Sequence, residues 1–437
     1  MDILLSGVTI VTMNEKMDVL FGGFLGVTEG KISYIGKTAP QEQPGTIIDG
    51  TGMVAIPGLV NCHTHLTATA LRGFWDDASN AEALEGLLQK EAKMDARCAK
   101  ASALMGIAEC LRFGITSVSD LSYFPDAVAE AAEEAGIKAN VALSAYRFID
   151  QNEEFDFDTD EQCQELCRVA DKWAGHDRIR IDAGIYAEYT SNYKLWEALS
   201  DYAAEKGLGM QLHLGQRQEE AESCLDRTGL EAAELLSCHR LFRVPAQVTD
   251  CACTSDMEKK ILAKNKATAV AVPLAAAKAG RSSTAISDCV KSGMNVALGT
   301  GGAADCGNLD MFEVMRAAAM AERVRAGGPE AMPAAAILMM ATTCGARAQG
   351  RGESCGMLKE GMDADIVLVD FSAPHLIPCH NVLSSLVFGA KGGDVALTMV
   401  QGRILYQNGQ FPTLDLPAVV KELTGYAMDR LFAEPKE

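Results

Sequence analysis

The sequence predicts an α/β protein: a (β/α)8 barrel of the TIM type plus a small β-sandwich built from both chain ends. Three observations predict it. The middle of the chain alternates short apolar strands with helical stretches, about eight times over roughly 300 residues, which favours a closed barrel over an open sheet. Both ends instead carry strand-like alternation punctuated by glycine-centred turns. Hydrophobic residues make up 48% of 437 positions, enough to fill one large barrel and a second, smaller core.

The elements follow in order. Within residues 1–56, LLSGVTIVT, FLGVTEG, KISYIGK and TIIDGTG read as a β-meander, the first part of the small domain. Residues 57–356 form the barrel. Its strands are GLVNCH, ITSVSD, KANVALSA, IRIDAGIY, GMQLHL, TAVAVP and NVALGT. AKASALMGIAECLRFG, FPDAVAEAAEEAG and LWEALSDYAAEKG show apolar residues at helical spacing, and the last two end near a glycine that predicts a helix stop. Residues 357–437 return to β-type sequence. DADIVLVDF and ALTMVQGRILYQNGQ, with Asn408–Gly409 as a tight turn, complete the small domain ahead of a tail.

Composition narrows the function. Thirty-nine basic residues against 59 acidic ones give a net charge of −20, which disfavours nucleic acid and anionic membranes as partners. The opening MDILLSGVTIV has no basic leader, and no 18-residue apolar span follows. A cytoplasmic protein with reduced, mostly buried thiols is expected from the 14 cysteines. Their spacing forms no paired CxxC knuckles, so a structural zinc ribbon is not expected. The three tryptophans show no base-stacking spacing, and His176, His239, His375 and His380 read as surface or packing residues.

The strongest chemical signal is PGLVNCHTH. His63 and His65 stand two apart at a strand end, so both imidazoles leave the same face. Neutral imidazoles so placed can grip one divalent cation, and in such barrels reactive groups sit at the C-terminal ends of strands. An isolated pair of this kind can equally be two polar residues closing a strand.

This segment resembles the metal-binding opening of the amidohydrolase superfamily. The chain is similar nearly end to end to the S-adenosylhomocysteine/methylthioadenosine deaminase branch, whose neighbours are guanine deaminase and the triazine hydrolases. LRGFWDD, GMNVALGTGGAADCGNLDMFEVMRAA, GMLKEGMDADIVLVD and APHLIPCHN carry the likeness. The resemblance implies metal-assisted hydrolysis of a small heterocyclic substrate and a homodimer. In such chemistry the cation lowers the pKa of a bound water, while protein groups move protons to the leaving amine.

Carried over residue by residue, the resemblance makes His213, in QLHLGQ, the third metal imidazole. Gln216 stands in place of a proton-shuttling glutamate, and an amide cannot ionise. Asp250 replaces a histidine, Tyr186 replaces a substrate-contacting histidine, and Glu188 replaces a proline. Gly301 replaces the metal-binding aspartate of the last strand; Asp305 and Asp310 lie beyond it. The Gly-Thr-Gly-Gly run matches no phosphate-binding pattern.

Three readings follow. In a rewired site, His63, His65, His213 and Asp250 hold one Zn²⁺ or Fe²⁺, with an open position over Gly301, Tyr186 beside the substrate, and Asp250, Gln216 and Glu188 available for proton handling. In an inert amidohydrolase-type fold, the chain serves as a binding or assembly subunit. In an ordinary deaminase, the missing groups are dispensable, although a general acid–base contributes about 10²–10⁴-fold.

Overall fold

Glycine-punctuated β sequence at the two ends and strand–helix alternation between them produce two eight-stranded sheets. The computed structural model describes residues 1–78, 80–146 and 154–433. The N-terminal strands are β1 (Ile3–Val11), β2 (Val19–Thr28), β3 (Lys31–Gly36), β4 (Thr46–Asp49) and β5 (Met53–Pro57). The barrel strands are β6 (Leu59–Thr64), β7 (Ile115–Ser122), β8 (Lys138–Leu143), β9 (Ile179–Ala187), β10 (Met210–Leu214), β11 (Ala246–Asp250), β12 (Thr268–Ala271) and β13 (Asn295–Leu298). The C-terminal strands are β14 (Ile366–Asp370), β15 (Val395–Val400) and β16 (Arg403–Gln407).

The barrel strands pair in parallel from β6 through β13. β6, β7 and β8 are buried along their whole length, as expected for parallel strands covered on both faces. The ring closes between β13 and β6 through individual bonds. Thr300 N–H donates to Asn61 Oδ1 at 3.0 Å, and Gly301 N–H donates to the His63 carbonyl at 3.0 Å.

The sandwich expected at the ends is built as one continuous mixed sheet, ordered β16-β15-β14-β5-β1-β2-β3 with β4 alongside β1. β14 and β5 pair antiparallel and so stitch the two chain ends together. Leu5, Ile10 and Leu25 share a core with Ile366, Leu368 and Met399. The β15–β16 hairpin turns at Gln401–Gly402, both at positive φ, whereas Asn408–Gly409 folds Gln407 back against Gln410. Sheet and barrel meet at Lys138, whose ammonium lies 2.7 Å from Asp363 and 2.6 Å from Asp365.

Gly136 and Gly207 cap their helices in the left-handed region, where a side chain would be strained. The C-terminal helical segment, from Leu416 to Phe432, leaves the sheet and packs on the barrel. Its Tyr426 hydroxyl donates to Asp95 at 2.6 Å, and its Leu431 carbonyl accepts from Lys90 at 3.1 Å. Lys90 belongs to the helix Asn80–Glu91, which walls the mouth of the barrel. Among the described residues, no helix is long and apolar enough to cross a membrane, and all 14 cysteines are free thiols.

Candidate metal centre

The end of β6 delivers two imidazoles because its backbone is held in place. The Asp120 carboxylate of β7 accepts the Leu66 N–H at 2.6 Å and fixes the turn after His65. Its other oxygen is buried without a hydrogen-bond partner, and burial pushes its pKa up to about 6, against the Leu66 bond and His65. β10 brings His213 to the same mouth. The ligating atoms of His63, His65 and His213 all lie within 4.8 Å of one another, and the Nε2 atoms of His63 and His213 are 3.1 Å apart. Two nitrogens on one tetrahedral zinc would stand roughly 3.3 Å apart.

The far sides of two rings are already committed. Nδ1 of His65 lies 2.7 Å from the Leu121 carbonyl, and Nδ1 of His213 lies 2.8 Å from the Tyr186 carbonyl. A carbonyl only accepts, so each Nδ1 carries the proton and each Nε2 presents a lone pair. Burial, then the neighbouring imidazoles, holds His63 far below the usual histidine range. Burial and His65 lower His213 to about 3. His65 and His213 each turn a lone pair toward the same point, beside His63 Nε2, and a cluster of this kind fits a divalent cation.

The triad opens onto a cavity at the barrel mouth. Tyr186, Gln216, Asp250 and Gly301 also line it. The Tyr186 ring lies 4.9 Å from that of His213, and burial raises its hydroxyl well above the usual range. Gly301 sits at φ +74°, its carbonyl accepting the Thr64 hydroxyl at 3.0 Å.

Two expectations need correction. Asp250 does not join the histidine cluster. Its backbone is left-handed, at φ +76°, and turns the carboxylate aside: Gln216 Nε2 donates to Oδ2 at 3.0 Å and Arg281 donates to Oδ1 at 3.3 Å. Burial raises this carboxyl, opposed by Arg281 and Gln216. Glu188, unlike Asp250, does not line the cavity. It is buried in a two-pronged pair with Arg227, at 3.0 and 2.9 Å.

Sequence reasoning missed two wall residues and left a third open. Glu91 arrives from the helix Asn80–Glu91, and burial pushes it up to about 7, opposed by His65 and assisted by Asp305. Arg281 comes from a loop after the helix Pro273–Lys278. The third is Asp305, four residues beyond Gly301, which also faces the cavity. Only the glutamate's place at the end of a helix that follows the His63–His65 strand could have flagged it.

A filled or dismantled mouth, as an inert assembly subunit would show, is not supported: three ring nitrogens face open space. The comparisons agree with this geometry. The chain is 33% identical to a 5-methylthioadenosine/S-adenosylhomocysteine deaminase of Caldicellulosiruptor saccharolyticus, covering 97% of each. It is 32% identical to a 5′-deoxyadenosine deaminase of Methanosarcina mazei, covering 96% of each. An adenosine deaminase from Xanthomonas campestris, solved with bound zinc, superposes with a TM-score of 0.92 at 26% identity over 98% of each chain. The Amidohydrolase family profile matches residues 54–405, from the last N-terminal strand to the last C-terminal one. With the barrel, the histidine cluster at its mouth and this end-to-end likeness in agreement, the chain belongs to the amidohydrolase family.

Proposed function

We propose that this protein is a metal-dependent hydrolase that removes an amino group from a small nitrogen heterocycle, through a site rewired around His63, His65 and His213. The observation that carries the reading is the convergence of three neutral imidazoles on one point of an open cavity. When bound there, a divalent cation supplies Lewis-acid activation of a water nucleophile. The zinc held by the Xanthomonas campestris relative favours zinc over iron.

The chain's own groups handle the rest. Water adds at the ring carbon that bears the amine, the C–N bond breaks, one water proton leaves with ammonia and the other stays on the hydroxylated product, on its oxygen or a ring nitrogen. Asp250 accepts the first of these protons and returns it to the departing nitrogen; Gln216 and Arg281 hold its carboxylate in place. Glu91, pushed up to about 7 by burial, offers a hydrogen bond in its protonated form to a ring nitrogen or hydroxyl from the opposite wall. Tyr186 packs beside the ring, and Gly301 leaves room above the cation.

The named activities of the relatives make 6-aminopurine nucleosides the first substrate class to test. The family likeness also supports a cytoplasmic homodimer. The test is ammonia release by zinc-loaded protein from adenosine-type nucleosides, guanine and aminotriazines. Metal-dependent turnover of one class is expected, and His63→Ala should lose both the zinc and the turnover. Silence on every class with one zinc per chain would refute the reading.

A further inference from the structure

The last barrel strand lacks the side chain that would balance the cation. Gly299 is pressed against the His63 backbone; a Cβ there would lie 2.8 Å from His63 N. The Thr300 hydroxyl is spent on Asn61 and on the Gly301 carbonyl, each at 2.8 Å. Gly301 carries nothing. Three neutral imidazoles leave a dication wholly uncompensated in a buried site, which is costly.

A carboxylate nevertheless stands near that place, outside the histidine cluster itself. The four-residue turn Ala303–Cys306 folds the chain back, so that a Cβ on Gly301 would meet Asp305 Cβ at 3.7 Å and Asp305 Oδ2 at 3.9 Å. A Cβ on Gly302 would lie 2.9 Å from the same Oδ2 and 3.2 Å from His65 Cβ. Asp305 and His65 therefore flank one point of the wall. The Gly302 N–H holds Oδ2 at 3.0 Å, while Oδ1 has no hydrogen-bond partner among the described residues. The competing carboxylates are differently placed: both oxygens of Asp250 are bonded, Glu91 comes from the outer helix, and Asp120, although its Oδ1 is also unpartnered, does not line the cavity as Asp305 does.

We propose that Asp305 supplies the anionic ligand of the metal centre, in place of the side chain missing at Gly301. The proposal rests on the metal-site reading above. Asp305 reaches the ion with Oδ1 by rotation of its side chain, while the Gly302 N–H steadies Oδ2 as an outer-shell partner does. A ligand set of three imidazoles and one carboxylate suits Zn²⁺.

The test compares Zn²⁺ affinity, by competition with a chromophoric chelator, and the visible spectrum of the Co²⁺-loaded protein. The proteins are wild type, Asp305→Asn, Asp305→Glu, Asp250→Asn and Glu91→Gln, each checked for folding by circular dichroism. Asp305→Asn is expected to weaken Zn²⁺ by about 100-fold and to alter the Co²⁺ bands. Asp305→Glu, which keeps the charge, should recover part of the affinity. Asp250→Asn and Glu91→Gln should stay within about threefold. An Asp305→Asn protein with wild-type affinity and an unchanged Co²⁺ spectrum overturns the assignment, as does loss of affinity in Asp250→Asn or Glu91→Gln instead. The deaminase reading fails separately, if zinc-loaded wild type releases no ammonia; a wild type that binds no zinc sinks both.

Discussion

Glu188 shows how a side chain can be conspicuous in a sequence and still stand outside the chemistry. Its neighbour Tyr186 lines the cavity, but the strand-to-turn geometry sends Glu188 to Arg227 instead. Glu188→Gln should therefore cost about 1–3 kcal/mol of stability through weakened charged hydrogen bonds. Zinc affinity should not change; a lowered melting temperature with unaltered zinc titration checks this. His63 and His65 were legible because strand periodicity puts alternate residues on one face, and His213 because QLHLGQ resembles the family's third ligand strand. The direction of Asp250 was not, because a left-handed backbone at a strand end breaks that periodicity. Arg281 and Glu91 come from a loop and a helix whose approach no local pattern encodes.

At the scale of elements, the critical joint is β13 against β6. Gly299 is a glycine because the two strand ends touch there, and its φ is one that any residue could adopt. Gly299→Ala places a methyl 2.8 to 2.9 Å from the His63 backbone and Cβ. That overpacking should cost about 1–3 kcal/mol and push the His63–His65 pair out of line with His213. Thermal melting and zinc titration should both fall, unlike in Glu188→Gln. The helix stops at Gly136 and Gly207 were readable from composition, since left-handed caps select glycine. The closure at β13 was not, because it depends on distant residues such as Asn61 meeting Thr300.

For the whole molecule, alternating sequence at both ends was enough to foresee one shared β domain, because neither end alone can bury its apolar face, but not that it would be a single mixed sheet. What pins that sheet to the barrel was hidden. Lys138 reads as a strand-edge lysine, yet it is buried between Asp363 and Asp365. Burial works against its charge, but Asp365 and Asp363 raise its pKa overall; burial likewise opposes Asp363, which Lys138 and Lys31 hold below the usual carboxylate range. The signs set the window. The Asp363 contribution is present above the unfolded carboxylate pKa and lost as pH falls through its lower folded value. That of Lys138 is present below the unfolded lysine pKa and lost as pH rises through its higher folded value. Lys138→Met, leaving Asp365 without its buried cation and Asp363 with Lys31 alone, should destabilise by about 3–5 kcal/mol. Melting curves across pH should show both the drop and a shallower dependence than in wild type. The C-terminal helices bring the molecule's two ends of scale together. Leu431 grips Lys90, the neighbour of Glu91, from 341 positions away. During synthesis, then, the cavity gains its outer rampart only when almost the last turn has left the ribosome; a nascent chain halted before Leu431 would display every histidine and still hold a breached pocket.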